Sequence, residues 1–390
     1  MGEAEAHGHG LDLDRVRDVF DGSTDFTVGL EEEFLLLDPE SLELVHRFEE
    51  LHALCLEDGV LADSAAGELI DTEIEIRSGR GETFAEAASQ QQSARDRLFS
   101  LARSSGVALG SVGTHPWADY RDQQIIDTAH YRRLQHDLGW VAQRNNTWSM
   151  HVHVGIRGAD RAVAVSDRMR ELLPVLLAAS ANSPFLDGRD TGLHSVRTEI
   201  FTRLFPRCGV HQPFGDWSTY AGFVDLLRDT GTIVEATQLW WSVRPHHHFG
   251  TVEVRICDAQ TAGNESLDLA ALVTACVAQS ALDYDELGRN PELRLDREIE
   301  ENFWRAIRFG LEGEMIDFEQ GKTVPTVEMI ERTIEWASPA AGELGLELRL
   351  PTTNGAIRAR EAYEGGKSLE EILRFAVEMT EKTYTTEGGV

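Results

Sequence analysis

Polar and apolar positions alternate with a period of two in four stretches of the chain, and that period predicts strands. In the first, Phe26–Leu37, Glu31 and Glu33 fall on one face, and Asp38-Pro39-Glu40-Ser41 closes the run as a turn. The second, Leu69–Arg77, sets Asp71, Glu73 and Glu75 on one face and Ile70, Ile74 and Ile76 on the other, and Ser78-Gly79 ends it. Thr147–Ile156 is the third and carries His151 and His153. Thr251–Asp258 is the fourth and aligns Glu253, Arg255 and Cys257. Val107–Gly113 reads as a further strand.

Between and after these runs the period changes to that of a helix. Phe84, Ala87, Ala88, Gln91, Ala94, Leu98 and Leu101 form a stripe that predicts a helix over Thr83–Ser104, with Gly106 beyond its end. Asp160–Ala181 is expected as one long helix, and Asn182–Arg197 as a loop rich in Gly, Asp and Ser. Past the fourth strand the chain is expected to be helical, over about 266–284, 297–311, 327–337 and 369–384. No repeat or linker appears. The expected organisation is an acidic, flexible tail over residues 1–22, ending in a short helix, and one domain over 23–390. Its class is α+β, built on an antiparallel sheet.

Composition narrows the function. Hydrophobic residues make up 42% of the 390, enough for a large core. The net charge of −31 repels nucleic acid and anionic membranes, so both are excluded as main partners. The lysines are Lys322, Lys367 and Lys382, so no phosphate-gripping lysine stands in an N-terminal nucleotide loop. The four cysteines show no C-x-x-C spacing, which argues against a zinc knuckle or a disulfide framework. No apolar run of about 18 residues is evident, and the expectation is a soluble, cytoplasmic protein that acts on small molecules.

The polar faces carry the chemistry. A half-exposed sheet also turns a polar face to water, but such a face would mix in Lys, Thr, Ser and Gln. Here the faces repeat carboxylates, imidazoles and arginine. Clustered carboxylates repel one another unless cations sit among them, and oxygen-rich sites of this kind suit Mg²⁺ or Mn²⁺ beside nucleotide phosphates. Arg197, Arg203 and Arg207 supply guanidinium forks that match phosphate and carboxylate, and Arg197 and Arg203 are the expected catalytic pair. Some of these arginines also read as surface charge that balances an acidic protein. In His246-His247-His248 only alternate members share a face, and a structural role is expected there. His46, His52 and His115 show no partner.

Gly29-Leu30-Glu31-Glu32-Glu33-Phe34, Gly113-Thr114-His115-Pro116, His151-Val152-His153-Val154-Gly155 and Arg197…Phe201…Arg203…Pro206 stand in a consistent order. They are followed by Arg244-Pro245-His246…Phe249-Gly250-Thr251-Val252-Glu253-Val254-Arg255 and Glu301-Asn302-Phe303-Trp304-Arg305…Arg308-Phe309-Gly310. Over about 26–313 the chain thereby resembles the type-2 glutamate–cysteine ligase, or carboxylate–amine ligase, family of the glutamine synthetase-like superfamily. The resemblance implies an antiparallel sheet forming a funnel with surrounding helices, and an ATP-dependent, ADP-forming ligase that acts through an acyl-phosphate. It implies Glu31, Glu33, Glu75, His151 and Glu253 as metal ligands and His153, Arg255 and Arg308 as nucleotide contacts, with Arg255 steadying the phosphoryl group. Its substrates would be an amino-acid carboxylate and an amine such as cysteine, and a homodimer is expected by analogy alone. Two places depart from the family pattern, Asn146-Thr147-Trp148-Ser149 before the His-x-His strand and Phe309 where relatives often have tyrosine. Both bear on the acceptor amine.

Two other readings compete. A metal-dependent amide or ester hydrolase would activate water on Zn²⁺ or a two-metal centre, but it would call for more histidine ligands than are visible here. A non-catalytic nucleotide- or glutamate-binding protein would be expected to have lost Glu31, Glu33, Glu253 or Arg255, and all four are present.

Overall fold

The computed structural model describes residues 11–386. A seven-stranded antiparallel sheet forms its centre. The strands are β1 (Val28–Leu37), β2 (Ala65–Ala66), β3 (Glu73–Arg77), β4 (Ala108–Gly110), β5 (Met150–Gly155), β8 (Val243–His246) and β9 (Thr251–Val254). Their order is β2-β3-β1-β5-β9-β8, with β4 paired to the far end of β1. Two short hairpins, β6–β7 (Phe185–Leu186, Arg189–Asp190) and β10–β11 (Glu314–Asp317, Lys322–Pro325), stand apart.

Helices surround the sheet and pack chiefly on the face that carries Leu30, Val152 and Val254. In chain order they are α1 (Leu13–Asp21), α2 (Phe48–Leu56), α3 (Phe84–Ser104), α4 (Ala129–Leu138), α5 (Ala159–Met169), α6 (Leu173–Ser180), α7 (Val196–Leu204) and α8 (Trp217–Asp229). The C-terminal part is helical as expected, with α9 (Gly263–Leu287), α10 (Asp296–Phe309), α11 (Thr326–Leu344), α12 (Gly355–Glu364) and α13 (Leu369–Tyr384). By length and composition α9 could cross a membrane, but it is the central helix of the core and 78% of its apolar window is buried inside the protein. Leu30, Met150, Val152, Val154, Val252 and Val254 point from the sheet into this helical layer, because side chains alternate along each strand.

That alternation divides three consecutive glutamates. Glu31 and Glu33 point to the opposite face from Glu32, which is buried under the helices. There Arg95 of α3 holds it through Nε at 2.8 Å and through a second guanidinium nitrogen, and Gln91 and Ser266 also donate to it.

Two expectations need correction. The expected helix over Asp160–Ala181 is two helices, broken at Arg170–Leu172. Pro174 in the first turn of α6 lacks an N–H, so it can open a helix but not continue one from the residues before it. The second strand is shorter than its alternation suggested, because Leu69–Thr72 leave the sheet to meet the loop at 123–126. The short helix expected at the end of the tail is present over Leu13–Asp21 and buries Leu13, Val16 and Phe20. Residues 1–10 of that tail lie outside the described residues.

Candidate active site

Strand pairing builds the site on the face of the sheet that carries Glu31 and Glu33. Glu33 lies opposite Glu75, and Glu31 opposite both Arg77 and His151. Glu253 lies opposite His153 on one side and Arg244 on the other. The polar faces predicted strand by strand thus meet in one place. Glu31, Glu33, Glu75, His151, His153, Glu253 and Arg255 all belong to it.

Each group is held by a neighbour. His151 Nδ1 is 2.9 Å from Glu31 Oε2, and its Nε2 is 2.9 Å from the Ser149 hydroxyl. That hydroxyl is 2.9 Å from the Glu33 carboxylate, which also accepts the Ser149 amide. His153 Nδ1 meets Thr251 Oγ1 at 2.9 Å, and its Nε2 lies 3.2 Å from Glu31 Oε1. Glu253 accepts Arg244 Nε at 2.6 Å and also binds Arg255. Three groupings bring ligand atoms within 4.8 Å of one another: Glu31–Glu75–His151, Glu31–His153–Glu253 and Glu33–Glu68–Glu75.

The crowding of carboxylates shows in their proton affinities. Burial and the Glu75 charge push Glu33 up to about 7. Burial, then neighbouring carboxylates, hold Glu68 and Glu73 well above the usual range. Burial opposes ionisation of Glu253 as well, but Arg244 and Arg255 overcome it and keep the group well below the usual range. Burial, aided by Arg255, drives His151 down to about 4, so at neutral pH its ring is uncharged and has a lone pair to offer. Glu73 Oε2, Glu75 Oε2, Arg255 Nε and His246 Nδ1 are buried there with no hydrogen-bond partner. Oxygen-rich donors with neutral imidazole, carboxylates short of positive charge and unsatisfied polar atoms fit divalent cations of the Mg²⁺ or Mn²⁺ kind.

The other predicted arginines are placed differently. Arg197 is buried beside β9, and its charge lowers the proton affinity of Glu33. It donates to the carbonyls of Ile256 and Arg255 at 3.0 and 3.1 Å and pairs with Asp258, so it fixes the backbone that carries Arg255. Arg203 is 46% exposed beside Glu199 and Glu300. Six residues along α7 turn it roughly 240° from Arg197. Arg308 donates to the Gly192 carbonyl and lies over the Phe309 ring at 4.9 Å, contacts made to the loop ahead of α7 and to its own helix.

Glu68, Arg77 and Arg244 are members that the sequence reading did not select. Glu68 lies outside any strand, so periodicity carries no signal for it. Arg77 and Arg244 become visible only once the strands are paired. Of the three tandem histidines, His246 joins the site next to His153, while His247 turns away to the Tyr220 hydroxyl at 2.7 Å.

His115 has a structural role and carries a prediction. Its Nε2 is 2.8 Å from the Leu42 carbonyl, and its Nδ1 accepts the amides of Trp117 and Ala118. A second ring proton would face those two N–H groups, and burial holds the pKa down to about 4. The unfolded ring takes up its proton near pH 6.5, so this contribution to stability is present above that value and fades as pH falls toward 4. In urea denaturation, the destabilisation caused by His115→Gln should shrink by about 2 kcal/mol between pH 7 and pH 4.5. An equal effect at both values would mean that His115 takes up its proton at the same pH in the folded and unfolded chain.

The sequence profile of glutamate–cysteine ligase family 2 matches residues 27–385. The chain belongs to this family. A family member from Rubrobacter xylanophilus, named “Putative glutamate–cysteine ligase 2-2”, is 39% identical over 355 residues, 90% of this chain and 91% of its own. One from Gloeobacter violaceus, named “Putative glutamate–cysteine ligase 2”, is 38% identical over 361 residues, 91% of this chain and 96% of its own. The glutamate–cysteine ligase of Francisella tularensis, solved in complex with AMP, shares the fold at a TM-score of 0.68. It is 10% identical, and the match covers 94% of this chain and 90% of that one. The bifunctional glutathione synthetase of Pasteurella multocida superposes at a TM-score of 0.64 over 97% of this chain and 55% of its own, also at 10% identity. The family-2 chain thus has the α+β fold of glutamate–cysteine ligases, with an antiparallel sheet and a helical C-terminal part.

Proposed function

We propose that this family-2 member is an ATP- and Mg²⁺-dependent ligase that joins the side-chain carboxylate of glutamate, or a similar acid, to an amine. The observation that carries the reading is the single sheet face on which carboxylates, neutral imidazole and Arg255 converge. It is supported by membership of a ligase family and by relatives named as glutamate–cysteine ligases over nearly their whole length.

In this reading Glu31, Glu33, Glu68, Glu75, His151, His153 and Glu253 hold the divalent cations and, through them, the phosphates of ATP. Bound cations supply charge neutralisation at the transferring phosphoryl group, where most of the catalysis of such transfers resides. Arg255 carries a buried Nε with no protein partner, which an anionic oxygen would satisfy. The acid's carboxylate attacks the γ-phosphate of ATP, giving an acyl-phosphate and ADP. The amine then attacks the acyl carbon and phosphate leaves as the amide forms. Phosphorylation provides the leaving group that a free carboxylate lacks, so no side-chain nucleophile is required. Arg197 serves as a positioning residue, because it grips the backbone carbonyl of Arg255.

The test is phosphate release from ATP with Mg²⁺ and glutamate, across a panel of amines led by cysteine. ADP and phosphate formed only when an amine is present would support the ligase and name its acceptor. Formation of AMP and pyrophosphate, or no turnover with any acid and amine, would overturn it.

A further inference from the structure

The β8–β9 hairpin carries an aromatic residue that the chemistry above does not use. Phe249 is 51% exposed at the tip of the turn, an unfavourable place for an apolar ring unless something covers it. The ring is not loose. One face lies on the His246 imidazole, with centroids 4.6 Å apart and planes within 12°. Its flank meets His153 edge-on, at 5.5 Å and 81°. His153 in turn stands 5.1 Å from His246 and 3.2 Å from Glu31.

The turn itself is pinned. The Ser23 hydroxyl donates to the Gly250 carbonyl at 2.8 Å, and Gly250 N donates to the His246 carbonyl at 3.1 Å. Gly250 has φ of +63°, and a Cβ there would meet Val19 and Ser23 at 3.1 Å, so this backbone admits glycine alone without strain. The hairpin therefore presents an exposed ring, backed by His246 and edged by His248 at 5.0 Å and 69°, directly beside the Glu31–His153–Glu253 group.

Isolated exposed aromatics are common and need no explanation. The continuity with the phosphate-binding end of the site sets this one apart. Among the substrates of the proposed reaction, the nucleotide alone has a flat aromatic surface. Neither the acid nor a small amine has a face that a ring platform would recognise.

We propose that Phe249, supported by His246, is the platform on which the base of the nucleotide stacks. The assignment rests on the ATP-dependent reading given above and adds the subsite that this reading lacked. The stack places the base outside the sheet edge while the phosphates run inward past His153 toward Glu253. His246 Nδ1, buried without a partner, stands at the same corner.

The experiment compares two ligands on the full chain by calorimetry with Mg²⁺ present, ATP and inorganic tripolyphosphate, which has the phosphates but no base. Wild type should bind ATP more tightly than tripolyphosphate. Phe249→Ala should weaken ATP about tenfold or more, on the scale of a lost base stack, and leave tripolyphosphate unchanged. Phe249→Tyr should bind ATP like wild type. Unchanged ATP affinity in Phe249→Ala would overturn the platform, as would equal weakening of both ligands, which would make Phe249 a mere support for His153. Equal affinity of wild type for the two ligands would overturn the platform alone. A wild type that binds neither would overturn the ATP-dependent reading and the platform together.

Discussion

Glutamine in place of Glu253 is expected to cut amine-dependent phosphate release by about 10²–10³-fold, the scale set by removal of one preorganised electrostatic group. Glu253 is 1% exposed, and it is bound by Arg244 and Arg255 on one side and lies 3.9 and 4.0 Å from His153 and His151 on the other. Arg244 and Arg255 hold it ionised against its burial. Glutamine keeps the shape and can still accept from Arg244, but it removes the negative charge that a cation at Glu31–His153–Glu253 would need. The loss should therefore appear in turnover and in Mn²⁺ affinity together, with the thermal unfolding midpoint close to that of wild type. The exposed Arg203→Ala, run in parallel, should stay within about twofold of wild type, because surface pairs of this kind contribute little. A fully active Glu253→Gln enzyme would place the reaction elsewhere.

The largest effect on stability is expected at Arg95→Leu, a loss of about 3–5 kcal/mol read from urea denaturation. Arg95 and Glu32 are 1% and 5% exposed, and the guanidinium also lies 4.5 Å from the Tyr384 ring centroid. Removing the arginine leaves an ionised carboxylate among helices, with Gln91 and Ser266 as its remaining donors. The double substitution Glu32→Leu/Arg95→Leu should recover most of the loss, because replacing both partners by apolar groups removes the unpaired charge. Failure of the double variant to recover would show that the stability lies in packing around the arginine stem.

The two sites were unequally legible in the sequence. Glu31, Glu33, Glu75, His151, His153, Glu253 and Arg255 could be grouped because a strand sorts its residues by parity, a local rule that needs no knowledge of the fold. Glu68 escaped because it precedes its strand, and Arg244 because its meaning comes from the strand opposite. Spacing alone could not tell Arg197 from Arg203: Arg197 is buried against the backbone of Arg255 and Ile256, whereas Arg203 is exposed beside Glu199 and Glu300. The short helix expected at the end of the tail is present over Leu13–Asp21, where Leu13, Val16 and Phe20 dock on the core. The helix pair expected as one was divided by a single proline, whose boundary effect competes with the uninterrupted apolar pattern around it.

Glu31, Glu32 and Glu33 also make the first strand intolerant of mistakes in assembly. Were β1 to slip by one residue against its neighbours, the side chains would change sides. Glu32 would abandon Arg95, and Glu31 and Glu33 would be pressed under α3 and α9 with one arginine between them. A composition that looks redundant, the same acid three times, thus acts as a lock with a single seating. An insertion or deletion of one residue between Val28 and Phe34 should be far more damaging than any substitution there, because it would mis-seat the core and the reaction centre at once.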